Sequence, residues 1–221
     1  MTNYNEFAEK YAKGSADLER EMKSHFYSLI TEPLAGKQLL DIGCGSGQDA
    51  AVYAEKGAKV YGLDVSEKQI ALAKDRECGN FAVGSMNELP YEANTFDIIT
   101  SYYALQASDQ VPGALEEMVR VTKPNGILLI LAKHPVTQLL ESYINDQNGD
   151  YFAKRNVTSY IFNRSIKLSQ PGHTLMEYFH ARLLKNTSIE LFEEHMDFPA
   201  SEQVIADVIY PTCMIIKYRK I

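Results

Sequence analysis

The sequence predicts an α/β fold in which helices cover both faces of a mostly parallel sheet. Short apolar runs alternate with helix-like segments from residue 37 to residue 134, which is the pattern of parallel strands joined by helices. The first apolar run ends near Asp41 and leads directly into alternating glycines that begin at Gly43. A second apolar run ends in Asp64. This order of strand, glycine loop, helix and strand predicts a nucleoside site at one edge of the sheet.

The glycine loop is expected to approach its ligand closely. Gly43 and Gly45 let the backbone turn tightly without Cβ atoms in the way. Ser46 is predicted to cap the helix that begins at Gln48, with Asp49 at the position from which a capping box reaches back. The loop therefore joins the first strand to the first helix and cradles a ligand.

Two carboxylates indicate which ligand the loop binds. Asp64 follows the strand at residues 59–63, where a carboxylate can accept hydrogen bonds from both ribose hydroxyls. Asp41 is expected at the mouth of the loop, where an acidic side chain repels a pyrophosphate and attracts a ligand with an ammonium and a sulfonium. A cationic nucleoside is therefore favoured, and a nicotinamide-dependent oxidoreductase is the weaker alternative.

Capping residues and helix breakers place the next elements. Ser66 and Gln69 predict a second capped helix directly after Asp64. Asp97 opens a fourth strand. Apolar residues at helical spacing predict a helix that stops before Pro124, followed by a fifth strand.

The chain after the fifth strand departs from this alternation. Residues 135–173 contain a polar turn and evenly spaced apolar residues, which predict an extended strand or a flap over the sheet. Thr174 and Glu177 predict one more capped helix. Strands near residues 189–192 and 213–218 would then close the sheet.

A length of 221 residues fits one domain with a full core and is too short for two substantial domains. The domain is expected to have four parts: an N-terminal helical lid at 1–36, a cofactor-binding half at 37–134, an insertion at 135–173, and a helix with closing strands at 174–221.

Four ordered motifs resemble those of the class I S-adenosylmethionine-dependent methyltransferases. They lie at residues 39–49, 84–91, 96–99 and 119–126. The resemblance implies a Rossmann-like, seven-stranded sheet whose last strand is antiparallel. It also implies transfer of the S-adenosylmethionine methyl group to oxygen, nitrogen or carbon of a small molecule. A non-catalytic S-adenosylmethionine-binding sensor or assembly protein is the alternative.

The same resemblance implies a set of cofactor contacts. Ser85 and Met86 would meet the adenine, and Tyr102 follows the fourth strand where reacting groups are placed. Val65 would pack against the adenine or else in the core. Tyr11 would close on the methionine end as part of a lid, or would pack the N-terminal helix onto the core. With these, the expected cofactor-binding set is Tyr11, Asp41, Gly43, Gly45, Asp64, Val65, Ser85, Met86 and Tyr102.

Two histidines are the candidate catalytic bases. His134 ends the fifth strand and His173 precedes the last capped helix, and an imidazole can accept a substrate proton near neutral pH. The alternative is that each one hydrogen-bonds a loop. His25 and His195 are interpreted as solvated or packing residues.

Substrate motifs are informative mainly by their absence. Gln106 stands where many small-molecule methyltransferases carry a histidine. The Asn/Asp-Pro-Pro-Tyr motif of the DNA and glutamine methyltransferases is missing after the fourth strand, which argues against those substrates.

The amino-acid composition limits which kinds of partner the protein is expected to bind. A net charge of -7 opposes the basic surface that nucleic-acid binders need, so a small molecule is the expected substrate. Three widely spaced cysteines without metal-ligand spacing fit a reduced cytoplasmic protein, and no metal is expected. No apolar stretch is long enough to predict a membrane span. The sequence leaves the oligomeric state open.

Overall fold

Strands and helices alternate along the chain. The computed structural model describes residues 4–6, 20–161, 164, 166–196, 205 and 207–221. The strands are β1 (Gln38–Ile42), β2 (Lys59–Asp64), β3 (Asn80–Val83), β4 (Phe96–Tyr102), β5 (Thr122–Lys133), β6 (Asn156–Ile161), β7 (Ile166–Pro171), β8 (Thr187–His195) and β9 (Cys213–Lys220). The helices are α1 (Arg20–Ser28), α2 (Gln48–Glu55), α3 (Glu67–Lys74), α4 (Val111–Val121), α5 (Pro135–Asp146), α6 (Leu175–Tyr178) and α7 (Ala181–Asn186).

Seven of these strands form one sheet in the order β3-β2-β1-β4-β5-β9-β8. The first five pair in parallel, whereas β9 inserts antiparallel between β5 and β8. The predicted seven-stranded, mostly parallel sheet is therefore confirmed. The strand order changes direction between β1 and β4, since β2 and β3 lie on one side of β1 and β4 and β5 lie on the other. A crevice at the carboxyl ends of two such strands is where α/β sheets bind ligands.

Apolar residues cover both faces of the sheet. Leu39 and Leu40 of β1 belong to different hydrophobic clusters, as expected where successive side chains alternate across a strand. Leu40 packs with the α4 residues Leu115 and Met118. Leu39 packs with Tyr53 of α2. Helices on both faces therefore hold the crevice rigidly.

The N-terminal capping prediction for α2 is wrong at Ser46. Gly47 occupies the N-cap with a φ of 74°, and no side chain caps the helix. Asp49 instead accepts hydrogen bonds from Lys23 and Tyr27 of α1, so tertiary partners take the carboxylate that the capping box would have used. The cap of α3 is confirmed, since Ser66 Oγ accepts from the Gln69 backbone N–H at 3.2 Å.

The single helix predicted after Thr174 is broken into α6 and α7. Its start is confirmed, because the Glu177 carboxylate accepts from the Thr174 backbone N–H at 2.8 Å. His180 is extended at the break. The break allows Phe179 to stack edge-on against Phe192 of β8, with ring centroids 5.3 Å apart, while Tyr178 stays in the core.

The insertion at 135–173 contains a helix that the sequence pattern did not reveal. The helix α5 is followed by an antiparallel hairpin of β6 and β7, separate from the main sheet. The end of α5 holds the hairpin, because Asn145 donates to the Thr158 carbonyl and Asp146 accepts from the Thr158 N–H. The extended part of the prediction corresponds to the hairpin.

The helix α1 packs on the sheet beside β5 and β9. Phe26 is fully buried against Leu129 and Ile215, and its ring lies 5.2 Å from that of Tyr102. Within the described part of the chain, no helix combines the length and apolarity needed to cross a membrane.

Candidate cofactor site

A cavity with about 630 Å³ of empty space, its open mouth included, lies at the carboxyl ends of the central strands. Six predicted cofactor-binding residues line it: Gly43, Gly45, Asp64, Val65, Met86 and Tyr102. Other lining residues are Tyr4, Ile42, Leu63, Gln69, Gly84, Tyr103, Ala104 and Ala107. Tyr11 lies outside the described residues. The cavity joins four separate segments of sequence around the glycine loop.

Gly43 and Gly45 have different tasks in the loop. Both have positive φ, 72° and 51° respectively. A Cβ atom on Gly43 would lie 2.1 Å from the Cβ of Ala104, so this glycine lets the loop pack against the end of β4. Among the described residues, a Cβ atom on Gly45 would meet only Gln69 Oε1, at 3.9 Å. The space beside Gly45 is therefore open to a ligand, whereas the space beside Gly43 is filled by Ala104.

The Asp64 carboxylate accepts hydrogen bonds from the glycine loop and from the N-cap of α3. Its Oδ2 accepts from the Gly45 N–H at 3.0 Å, and its Oδ1 accepts from the Ser66 N–H at 2.8 Å. Burial raises the pKa of this carboxyl, and the backbone donors oppose the rise. Each oxygen of an ionised carboxylate has a second lone pair, so Asp64 can also accept from two ligand hydroxyls.

The adenine-side residues separate into those on the cavity wall and one beside it. Val65 is 56% exposed and lines the cavity, so it is not a core residue. Gly84 and Met86 also line the cavity, but the intervening Ser85 does not. The Ser85 hydroxyl accepts from the Asn87 N–H at 3.2 Å and so shapes the turn that carries Met86.

The expectation that Asp41 lies at the mouth of the loop is wrong. Asp41 is only 2% exposed and is not on the cavity wall. Its Oδ1 accepts from Thr100 Oγ1 at 2.9 Å, while Oδ2 has no hydrogen-bond partner among the described residues. Burial, with a contribution from the Asp49 charge, raises the pKa of this carboxyl. Its sequence position next to the loop does not reveal this, because burial depends on α1 and α2 packing over the strand.

We expect Asp41 to make the protein less stable as the pH rises. The folded state holds the Asp41 proton at pH values where the unfolded chain has lost it, from about pH 4 upwards, so the unfolding free energy falls towards the raised folded pKa. Asp41→Asn should flatten this fall in urea unfolding measured across a pH series. An unchanged slope in a folded variant would contradict the buried, proton-binding carboxyl.

Asp97 provides the matched control with the opposite sign. Burial raises the pKa of this carboxyl, but hydrogen bonds from Lys123 and the Gln38 N–H outweigh that effect and leave the pKa lowered. Its stabilisation is present above the unfolded pKa and is lost as the pH falls through the folded pKa. Asp97→Asn should therefore change the slope only in the acid range.

Tyrosines form the side of the cavity nearest the end of β4. Tyr102 and Tyr103 meet edge to face, with ring centroids 5.3 Å apart. Tyr103 has a φ of 50°, which is rare for an aromatic residue and common at functional sites. Tyr4 accepts a hydrogen bond from Gln170 of β7 at 2.6 Å, so the N-terminal segment meets the insertion beside the cavity. Neither the Tyr103 backbone conformation nor the Tyr4 contact has a signal in local sequence.

His173 lies in a second, polar cavity with about 720 Å³ of empty space. Its Nε2 is 3.1 Å from the Gln106 carbonyl, so this nitrogen carries a proton and donates it. Its Nδ1 is 3.3 Å from the Glu177 carboxylate. The turn at Leu105–Ala107, which the ring contacts, ends in Ala107 on the wall of the first cavity. His173 therefore links the two cavities through one turn.

His134 is placed elsewhere. It is 1% exposed, lines neither cavity, and its Nδ1 accepts from the Val136 N–H at the start of α5. Its Nε2 lies 2.9 Å from Glu194 of β8. Burial lowers the pKa of this imidazole, and Glu194 opposes the shift. The structure thus gives His134 helix-capping and strand-linking contacts.

The glycine loop, the Asp64 carboxylate and the crevice between β1 and β4 define a Rossmann-like protein with a candidate ligand site at this crevice. Residues 40–130 match the family described as a methyltransferase domain. A solved structure from Listeria monocytogenes, a candidate S-adenosylmethionine-dependent methyltransferase, has the same fold with a TM-score of 0.75 and 20% identity, over 92% of this chain and 99% of that one. Residues 40–130 are thus similar to the methyltransferase-domain family, and the chain shares the fold of the Listeria monocytogenes structure.

Two curated relatives have assigned activities. The chain is 30% identical to malonyl-[acyl-carrier protein] O-methyltransferase of Pectobacterium atrosepticum, over 64% of this chain and 60% of the relative. It is 31% identical to demethylmenaquinone methyltransferase of Paenarthrobacter aurescens, over 62% of this chain and 56% of the relative. The chain thus spans little more than half the length of these relatives.

Proposed function

We propose that this protein transfers the methyl group of S-adenosylmethionine to a small-molecule acceptor. The observation that carries the proposal is the open space beside Gly45, bordered by the Asp64 carboxylate. Asp64 would accept from the two ribose hydroxyls, Val65 and Met86 would flank the adenine, and Tyr4 and Tyr102 would border the rest of the cofactor. Asp41, away from the wall, would act through the buried charges behind the loop.

Calorimetry is the direct test of the cofactor. We expect S-adenosylmethionine and S-adenosylhomocysteine to bind with micromolar affinity, on the order of 8 kcal/mol, and NAD to bind far more weakly. The reason is the size of the cavity, which suits one nucleoside with a short tail better than a dinucleotide. Tighter binding of NAD than of S-adenosylmethionine would reject the proposal.

The acceptor is proposed to be a small metabolite, not nucleic acid. The net charge of -7 disfavours a polyphosphate backbone, and the two curated relatives act on malonyl-[acyl-carrier protein] and on demethylmenaquinone. We propose the cytoplasm as its location, since the cysteine pattern fits a reducing compartment. A screen of metabolite extracts with labelled methyl donor would identify the acceptor.

The proposed reaction needs alignment more than activation. A sulfonium methyl group is already electrophilic, so holding the acceptor in line with the carbon–sulfur bond supplies most of the rate. Tyr102, Tyr103 and Ala104 line the cavity at the end of β4, and their position supports an acceptor bound beside them. The acceptor's proton, if it has one, must leave to a nearby base or to water.

Of the two candidate bases, His173 has the better position. We expect His173→Ala to lower turnover of the identified acceptor by ~10²-fold or more while cofactor affinity stays constant. To accept a proton, the imidazole must turn one nitrogen towards the acceptor, because in this arrangement Nε2 faces the Gln106 carbonyl and Nδ1 faces the Glu177 carboxylate. His134→Ala, which removes an imidazole that lines neither cavity, is the matched control. Normal turnover in His173→Ala would assign His173 to positioning the Leu105–Ala107 turn.

A non-catalytic S-adenosylmethionine-binding protein is the second candidate. Gln106 favours it, since the position offers an amide where many related enzymes offer a base, and its Nε2 donates to the Tyr103 carbonyl at 2.7 Å. Cofactor binding together with no methyl transfer across a broad metabolite screen would support this candidate. Transfer to any small acceptor would reject it.

A further inference from the structure

Three metal-ligating side chains meet where α1 lies beside the edge strand β8. His25 Nε2 lies 2.7 Å from Glu193 Oε2, and His195 Nε2 lies 2.8 Å from the same oxygen. The two imidazole rings are 5.3 Å apart between centroids and inclined at 66°. We infer that His25, Glu193 and His195 form a binding site for a divalent transition metal, with zinc the preferred ion.

The fold explains why these residues converge. Glu193 and His195 are two positions apart on a strand, so their side chains point to the same side. His25 comes from α1, 168 positions before Glu193. The packing of Phe26 against Leu129 and Ile215 fixes α1 at this distance from β8. The cluster is therefore a tertiary arrangement, which is why the two histidines carry no motif in the sequence.

The donor atoms suit zinc. One ligand atom from each residue lies within 4.8 Å of the other two, whereas ligands of one zinc ion are about 3.3 Å apart, given bond lengths near 2.0 Å. Small rotamer changes would therefore bring the three ligand atoms to the separations found around one zinc ion. Two imidazoles and one carboxylate form a typical three-residue zinc set, which leaves a fourth position for water.

The solvent exposure and the charge of the three side chains favour the binding of an ion over a role as a buried hydrogen-bonded cluster. The side chains of His25, Glu193 and His195 are 39%, 28% and 31% exposed, so an ion and its water can reach them. With neutral imidazoles and an ionised Glu193 the set carries one negative charge, which a cation would balance. A cation would replace the two shared protons as the group that joins the three side chains.

The site would tie the N-terminal helix to the sheet edge. Without it, Phe26 in the core and the Lys23–Asp49 ion pair, at 2.8 Å, are among the contacts that hold α1. A metal bridge from α1 to β8 would restrict this helix further. The site lies apart from the cofactor cavity, whose lining includes none of its three residues.

The test uses tag-free, full-length protein stripped with a chelator and titrated with zinc chloride. We expect one zinc ion per chain with low-micromolar or tighter affinity and a zinc-dependent rise in melting temperature. Cobalt chloride should give the visible absorption of a tetrahedral site. The inference would be overturned if the wild-type protein bound no zinc at concentrations 100-fold above this affinity range. Zinc binding only as several equivalents per chain would also overturn it.

Matched variants separate the site from adventitious binding. His25→Ala and Glu193→Gln should each weaken zinc binding at least tenfold and remove the thermal shift. Glu194→Gln is the control, because this neighbouring carboxylate lies against His134 instead. Since His25 is part-exposed, its variant is expected to fold, and circular dichroism checks this. Full affinity in folded His25→Ala and Glu193→Gln would reject the site.

Discussion

Asp64→Ala is expected to weaken S-adenosylmethionine binding by about 10- to 150-fold, or roughly 1.5 to 3 kcal/mol. The substitution leaves two ribose hydroxyls without their charged acceptor inside a partly enclosed cavity. It also frees the Gly45 and Ser66 N–H groups, which the carboxylate holds at 3.0 and 2.8 Å. Calorimetry with S-adenosylmethionine and S-adenosylhomocysteine measures the effect.

Two further variants test whether the loss of affinity comes from the Asp64 carboxylate. Asp64→Asn keeps the shape and one acceptor oxygen, so it should lose less affinity than the alanine variant. Asp97→Ala removes a carboxylate at the opposite end of the sheet, where it pairs with Lys123 at 2.9 Å, and should change stability without changing affinity. Wild-type affinity in a folded Asp64→Ala protein would remove Asp64 from the site.

Gly45→Val is expected to abolish cofactor binding while the circular dichroism spectrum stays near native. The protein leaves the space at this Cβ open, with its nearest protein atom, Gln69 Oε1, 3.9 Å away, so a side chain there would take the ligand's volume. Valine also prefers a negative φ, and the 51° at Gly45 adds backbone strain. The binding measurement must therefore distinguish occupied space from strain.

Gly36→Val makes that distinction. Gly36 has a φ of 76° and no heavy atom within 4 Å of its Cβ position, so valine there has comparable backbone strain and open space. Gly36 precedes β1, whereas Gly45 follows it, so the control lies at the far end of the strand from the cavity. Equal loss of binding in both variants would mean that strain, not contact with the ligand, explains the result at Gly45.

Local chemistry made much of the fold readable from the sequence. The glycine loop, Asp64 and the Ser66 cap depend on residues within a few positions of one another, and all three lie where the pattern placed them. The antiparallel position of β9 came from family resemblance, because an isolated strand carries no sign of its direction.

Two predictions were wrong because a short stretch of sequence carries no information about contacts outside it. Ser46 fits a capping box, but Lys23 and Tyr27 take Asp49 from a distant helix. The α5 helix was missed because the polar turn before the hairpin dominated the pattern. In both cases a competing contact or boundary outside the short window decided the outcome.

Strand periodicity and turn chemistry in the sequence predict the sheet, the glycine loop and the Asp64 carboxylate at the cavity. No sequence pattern predicts that Asp41 is buried, that His173 lies against Gln106 while His134 lies against Glu194, or that His25 meets Glu193 and His195. Burial and convergence depend on how helices far apart in the chain pack on one sheet, and no local pattern encodes those distances.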